Sequence, residues 1–369
     1  MQDPADLSRS VERAPRARDL GLRFGALPTG SWNAITDVPG VAVGHATRSD
    51  GERVHTGVTL VFPASGASAF LRKLPAAIAV GNGFGKAAGL SQVEELGTLE
   101  APLALTNTLA VGAVLDALVR RCLAEPELAE LRSINVVVGE TNDGWLSDIR
   151  AMSLGRAEVE LAWTNASRGP VEEGGIGAGA GTRCFGWKGG IGTASRVLDG
   201  GLGTLGVLVQ TNYGGTLGFR GRAFPLRADD ERTGGGREEA RESASDGSCW
   251  IAIATDAPLD ARQLGRIARR SFLGLARTGS VLAHGSGDYA LAFSTCETNR
   301  VTHGAHEPEL RRVLPDERLS ALFEAVVDAT EEAVWNSLVA AREVRGRDGH
   351  VAPAIDREAV RRFAAELAR

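Results

Sequence analysis

Ser245-Asp246-Gly247-Ser248-Cys249-Trp250-Ile251-Ala252-Ile253-Ala254-Thr255 divides the chain into two unlike regimes. Before it, residues 227–244 are charged, broken by Gly234-Gly235-Gly236 and free of any apolar run, so the segment 227–247 is expected to be flexible. From Cys249 onward an apolar run of strand length begins abruptly, and a buried strand is expected. Ser248 therefore stands at the first position of that strand. A cut before such a serine frees an α-amine beside its own hydroxyl, and an α-amine titrates at about 7.7–8.0, close to where a general base works best. Gly247 has the backbone freedom that an N-to-O acyl shift across the preceding peptide needs. The plainer alternative is that Asp246-Gly247 is a turn leading into a strand.

Bulk properties narrow the choice. At 369 residues, 43% hydrophobic and 24% charged, the chain has the composition of a globular protein large enough to bury its own core. A net charge of −5 argues against a basic face for nucleic acid. Cys122, Cys184, Cys249 and Cys296 lack metal or redox spacing, and the six histidines form no ligand pattern, so no metal or cofactor is expected. Residues 1–21 lack the apolar core of a signal peptide and no run reaches membrane-spanning length, which gives a cytoplasmic expectation with no membrane partner.

Short apolar runs read as strands at Val41–His45, Gly57–Pro63, Pro75–Val80, Pro102–Asn107, Ile134–Val138, Thr204–Thr211 and Tyr289–Ser294. Helical spacing is seen at Leu90–Leu96, Leu109–Leu123, Leu259–Arg277, with Asp256 as its expected cap, and Glu317–Arg345. Many strands with few helices between them in the first half predict a mixed sheet rather than a regular βαβ array. The glycine-dense stretch 174–192 is too rich in glycine for a regular helix.

Nucleotide motifs do poorly. Gly81-Asn82-Gly83-Phe84-Gly85-Lys86 lacks the first glycine of a P-loop and has Ala87 where magnesium needs a hydroxyl. Gly175-Ile176-Gly177 has Ala180 at the third glycine of a dinucleotide fingerprint and no clear helix after it. Polar residues at strand ends are better candidates. Ser286-Gly287-Asp288 could relay a proton or merely form a turn. The Asn212 amide could donate to an oxyanion or only cap a strand, and Glu140 could bind an ammonium or sit solvated in a loop.

Taken together these residues resemble a known family, the aminopeptidases that include the L-aminopeptidase D-amidase/D-esterases and the β-peptidyl aminopeptidases, which are N-terminal-nucleophile hydrolases. The resemblance runs from Arg16-Ala17-Arg18-Asp19-Leu20-Gly21 to about Thr295. It passes through Asn33-Ala34-Ile35-Thr36-Asp37-Val38-Pro39-Gly40-Val41, Val80–Lys86, Leu105-Thr106-Asn107-Thr108-Leu109, Gly189–Arg196, Val209-Gln210-Thr211-Asn212, Ala254-Thr255-Asp256-Ala257-Pro258-Leu259 and Gly285–Asp288.

The resemblance implies one α/β domain over 1–369, an αββα sandwich of stacked mixed sheets with outer helices. It implies self-cleavage at Gly247–Ser248 into chains 1–247 and 248–369, assembled as a homotetramer. Ser248 would be the nucleophile and its α-amine the base, Ser286 and Asp288 would assist self-cleavage and proton handling, and Asn212 would donate in the oxyanion hole. Glu140 would hold the substrate ammonium, and Asn142 falls at a variable pocket position that is often larger. Substrates would be short peptides, amides or esters cut at the N-terminal residue. Cys249-Trp250 is bulkier than expected after the nucleophile. The rivals are an acyltransferase resembling the ornithine acetyltransferases, whose nucleophile is threonine where this chain has Ser248, and a binding protein that has lost the chemistry.

Overall fold

The computed structural model describes residues 14–225 and 247–369. Of the expected flexible segment 227–247, all but Gly247 lies outside the described residues.

Nine strands carry the architecture: β1 (Ala42–Ser49), β2 (His55–Phe62), β3 (Arg72–Gly83), β4 (Leu103–Asn107), β5 (Val137–Thr141), β6 (Ile191–Leu198), β7 (Gly203–Asn212), β8 (Ser248–Thr255) and β9 (Gly287–Ser294). The longer helices are α1 (Leu90–Leu96), α2 (Val111–Leu123), α3 (Arg156–Thr164), α4 (Ala261–Thr278), α5 (Ser320–Ala340) and α6 (Arg357–Leu367).

A four-stranded sheet runs β1-β2-β4-β5, and a seven-stranded sheet runs from Val301–Thr302 through β3-β9-β8-β7 to β6, with Thr98–Leu99 paired to β3. Both sheets are mixed. The parallel neighbours β4/β5 and β8/β9 are joined by crossovers that contain α2 and α4 respectively, as parallel pairing requires.

The period-2 pattern of the strands explains the layering. In β8, Cys249, Ile251 and Ile253 face α4 and α5, while Trp250, Ala252 and Ala254 face the other sheet. In β9, Ala290 and Ala292 take the helix side, and Tyr289, Leu291 and Phe293 the inter-sheet side. Val58, Leu60, Ala104 and Val138 of the smaller sheet pack against Val114, Leu118 and Val159 of α2 and α3. The result is the expected αββα sandwich. The bulk after Ser248 is thereby accommodated: Cys249 fills the helix-side core, and Trp250 stacks on Tyr289 at 5.5 Å between the sheets. Gly139 makes room for that indole, since a Cβ there would lie 2.3 Å from the ring.

Two expectations are corrected. Asp256 does not cap α4; its Oδ1 accepts the Thr204 N–H at 2.6 Å, and Asp260 caps the helix by accepting the Gln263 N–H at 2.7 Å. Gln263 completes a capping box, which outcompetes a cap placed ahead of Pro258. The last long helix runs only over Ser320–Ala340, because Ala341 is extended and Val344–Arg345 pairs with Val351–Ala352. It is buried from Ala325 to Ala340, and within it Glu332 pairs with Arg196 at 2.8 Å and Arg18 at 2.7 Å. Finally, α3 and α6 were not anticipated. Among the described residues no helix is long and apolar enough to cross a membrane.

Candidate active site

Strand register assembles the site. Ser248, the first residue of β8, pairs with Asn212 at the end of β7 and with Gly287 at the start of β9. Its hydroxyl, buried apart from 7% exposure, donates to the Gly247 carbonyl at 2.6 Å. The Gly287 N–H reaches the same carbonyl oxygen at 3.0 Å and the Ser248 Oγ at 3.3 Å. The carbonyl before the serine thus accepts two hydrogen bonds, one of them from its neighbour's nucleophilic oxygen.

Asn212 accepts the Arg183 N–H through Oδ1 at 3.1 Å. An N–H donor must meet the amide oxygen, so Nδ2 is the end left to donate. On the other flank Ser286 and Asp288 are both buried. Neither Asp288 oxygen has a well-formed hydrogen bond among the described residues. Burial pushes its carboxyl up to about 6, and the looser approach of the Ser286 hydroxyl and the Cys249 N–H offsets only part of that push.

Glu140, next to last in β5, is buried and held at both oxygens: Oε1 accepts the Lys86 N–H at 2.8 Å, and Oε2 accepts the Thr108 hydroxyl. Here the glycine-rich stretch 81–86 finds its use. Gly85 lets the backbone approach, since a Cβ there would lie 2.6 Å from the Tyr289 ring and 3.2 Å from Glu140 Oε1. Asn82 Nδ2 donates to the carbonyls of Ala283 at 3.0 Å, His284 at 2.9 Å and Ser286, fixing the loop that leads into Ser286 and Asp288. The stretch positions side chains around Ser248.

Gly247, Ser248, Asn212, Glu140 and Asn142 line one cavity of about 530 Å³. Asn142 is exposed on its rim, with Oδ1 closing a turn onto the Gly144 N–H at 2.8 Å. Ser286 and Asp288 do not line the cavity. The sequence reading missed Phe84, Lys86, Thr108, Trp145, Arg183 and Tyr213 as lining residues. Trp145 stacks on His350 at 4.5 Å, and the Arg183 guanidinium lies 3.7 Å from the Trp145 ring centre. Asp143 and Lys188 are buried outside this lining: burial pushes the Asp143 carboxyl up and the Lys188 ammonium down, each to about 7. The Lys188 Nζ donates to the carbonyls of Gly179 at 2.8 Å and Gly189 at 2.7 Å.

A serine at a strand start, beside an amide donor and a buried carboxyl, is an arrangement for acyl transfer to water. The sequence pattern of peptidase family S58 matches residues 33–352. The chain belongs to peptidase family S58. It is 38% identical over 361 residues to the beta-peptidyl aminopeptidase of Sphingosinicella microcystinivorans, which covers 91% of this chain and 88% of that protein. The beta-aminopeptidase of Burkholderia sp. superposes with a TM-score of 0.84 at 40% identity, over 96% of this chain and 99% of its own. The L-aminopeptidase D-Ala-esterase/amidase of Ochrobactrum anthropi, a prototype for the serine aminopeptidases and a variant of the Ntn hydrolase fold, gives 0.84 at 34% identity over 96% and 99%. This S58 peptidase is accordingly an N-terminal-nucleophile hydrolase of the aminopeptidase kind, with peptides as its substrate class. The likeness favours hydrolysis over the acyltransferase alternative.

Proposed function

We propose that the chain is a precursor that cuts its own Gly247–Ser248 bond and then uses Ser248 to remove N-terminal residues from short peptides, amides or esters. The observation that carries this reading is the Ser248 hydroxyl at 2.6 Å from the Gly247 carbonyl oxygen, with the Gly287 N–H on the same oxygen at 3.0 Å.

In the precursor, Ser248 Oγ attacks the Gly247 carbonyl carbon while the Gly287 N–H supports the developing oxyanion. The hydroxyl proton passes through Ser286 and Asp288 to the departing Ser248 nitrogen, and the C–N bond breaks to leave an ester. Water hydrolyses that ester, giving a Gly247 carboxylate and a free Ser248 amine. In the mature enzyme the amine takes the hydroxyl proton as Oγ attacks the substrate, and Asn212 Nδ2 donates to the oxyanion. The leaving amine collects the proton, and water then releases the acyl group. Glu140 holds the substrate ammonium, which sets the reacting carbonyl at a fixed reach from Ser248. Asn142 borders the substrate at the rim.

The cleaved pieces, 1–247 and 248–369, remain one αββα unit. Four free thiols support a reducing, cytoplasmic setting, and a homotetramer is proposed on the family resemblance.

Intact-mass analysis under denaturing conditions tests the reading. Wild type is expected as two species, one beginning at Ser248. Ser248→Ala is expected as a single 38.6 kDa species without aminopeptidase activity. A Ser248→Ala chain that still splits there, or still turns over amides, sinks the proposal.

A further inference from the structure

Lys188 is 0% exposed, lies outside the cavity lining and has no part in the proposed reaction. It belongs to the glycine-dense stretch 174–192, where backbone packs directly on backbone. A Cβ on Gly179 would fall 2.6 Å from the Gly190 Cα, and one on Gly190 would fall 1.9 Å from the Gly174 carbonyl oxygen. Gly189 is closed in the same way, its Cβ 2.8 Å from Thr211 Oγ1. An ammonium is costly to bury unless acceptors meet it, and here two do. The Lys188 Nζ joins the carbonyls of Gly179 and Gly189, so one cation closes the loop 179–189 at its base.

Within that loop Arg183–Cys184 pairs with Trp187–Lys188 as a hairpin, and the hairpin grips the end of β7 on both sides of Asn212. The Arg183 N–H donates to Asn212 Oδ1 at 3.1 Å, and the Phe185 N–H to the Tyr213 carbonyl at 2.8 Å. Just past the hairpin, the Gly190 N–H donates to Thr211 Oγ1 at 3.1 Å, and its carbonyl accepts the Thr211 N–H at 2.9 Å. The hairpin thus takes the Asn212 amide oxygen and leaves Nδ2 to donate.

We propose that Lys188 is the positioning residue of the oxyanion amide: by closing the loop 179–189 at its base, it fixes the hairpin that aims Asn212 Nδ2 at the reacting carbonyl. This rests on the oxyanion role proposed for Asn212. A donor to a developing oxyanion works only if it is in place before the charge appears, and a misplacement of about 1 Å costs about 10²-fold in rate. Substrate binding asks no such precision of this flank, because the ammonium is held at Glu140. Self-cleavage does not ask it either, since its oxyanion faces the Gly287 N–H. The dependence on Lys188 therefore falls on kcat of the mature enzyme.

The test is a double-mutant cycle read in kcat and KM on an aminoacyl p-nitroanilide, with intact mass reporting maturation. Lys188→Met keeps an unbranched stem and loses the donors. It should mature on schedule and keep its KM, while kcat falls about ten- to hundredfold. Asn212→Ala should lose about 10²- to 10³-fold in kcat. In the double variant the lysine change should add less than about twofold, because its effect passes through Asn212. A normal kcat in Lys188→Met, losses that multiply in the double variant, or maturation slowed as much as turnover overturns the assignment. Thr211→Val removes the Oγ1 partner of Gly190 at similar volume, loosens the same grip from the β7 side, and should lower kcat alone, by less than Lys188→Met does. If Lys188→Met does not fold, Thr211→Val decides the question, and an unchanged kcat there overturns the assignment. Asn212→Ala reports separately on the underlying reading. A normal kcat in Asn212→Ala rejects the oxyanion role, whereas a slow Asn212→Ala beside a normal Lys188→Met rejects only the role of the lysine.

Discussion

Two buried carboxylates near the same serine are held in opposite ways. Glu140 is 2% exposed and each of its oxygens accepts a hydrogen bond, from the Lys86 N–H and from the Thr108 hydroxyl. Asp288 is 0% exposed and has no well-formed hydrogen bond among the described residues, and burial pushes it up to about 6. Equal burial with unequal hydrogen bonding fits the separate tasks proposed for them. A carboxylate fixed by one hydrogen bond on each oxygen keeps lone pairs for a cation, whereas one held reluctantly takes and gives a proton near neutral pH.

The largest test of this contrast is Asp288→Asn, which should slow the appearance of the Ser248 N-terminus by about 10²- to 10⁴-fold, the usual weight of a positioned acid–base group. In wild type the processing rate should rise with pH through about 6 and then level, since the ionised carboxylate is the acceptor. A flat profile, or an asparagine variant that matures at the normal rate, would break the comparison. Glu140→Gln should do the converse. Processing stays on schedule, while kcat/KM for substrates with a free amine drops about ten- to hundredfold, chiefly through KM. Delayed processing in that variant would show that the two acids share one task.

The smallest effect is on stability, read in the Ser248→Ala background so that no α-amine is present. Folded Asp288 binds its proton more tightly than the unfolded chain does, so its contribution is complete below the ordinary aspartate range and is lost as pH rises through about 6. From pH ~4 to ~6.5, unfolding free energy should fall by on the order of 2 kcal/mol more in Ser248→Ala than in Ser248→Ala/Asp288→Asn. Parallel denaturation curves for the two across that window would mean that Asp288 is not desolvated.

Much of the fold was legible because its strands are short apolar runs that end at glycine, proline or asparagine, and both long central helices show helical spacing. Element ends were less so. Asp256 and Asp260 are both plausible caps, and the choice turned on Gln263 three residues after Asp260. The α3 helix buries only Val159 and Ala162, too sparse a stripe to stand out, whereas α6 carried a readable signal in Asp356, Val360, Phe363 and Ala364. At the site, Asn212, Ser248 and Asp288 sit at or beside strand ends of the larger sheet, where chain direction brings them together, and Glu140, near the end of β5 in the smaller sheet, joins them through the stacking of the two sheets. Lys86, Thr108, Trp145 and Arg183 come from four separate segments, Thr108 opening a 3-10 turn and Arg183 a two-residue strand, and share no spacing, so only tertiary packing reveals them. Lys86 contributes its backbone N–H, which no side-chain motif encodes.

In the larger sheet β8 and β9, from beyond residue 247, lie between β3 and β7, from before it, and every residue of β8 is buried. A cut at Gly247–Ser248 therefore severs the thread without opening the weave. It also changes the reaction order of refolding. An intact chain closes this sheet on itself at any dilution, but two separated pieces must meet, and each lacks the strands that complete the other's half of the sheet. Maturation would make the enzyme dependent on its own history: once melted and diluted, it would have no unimolecular way back.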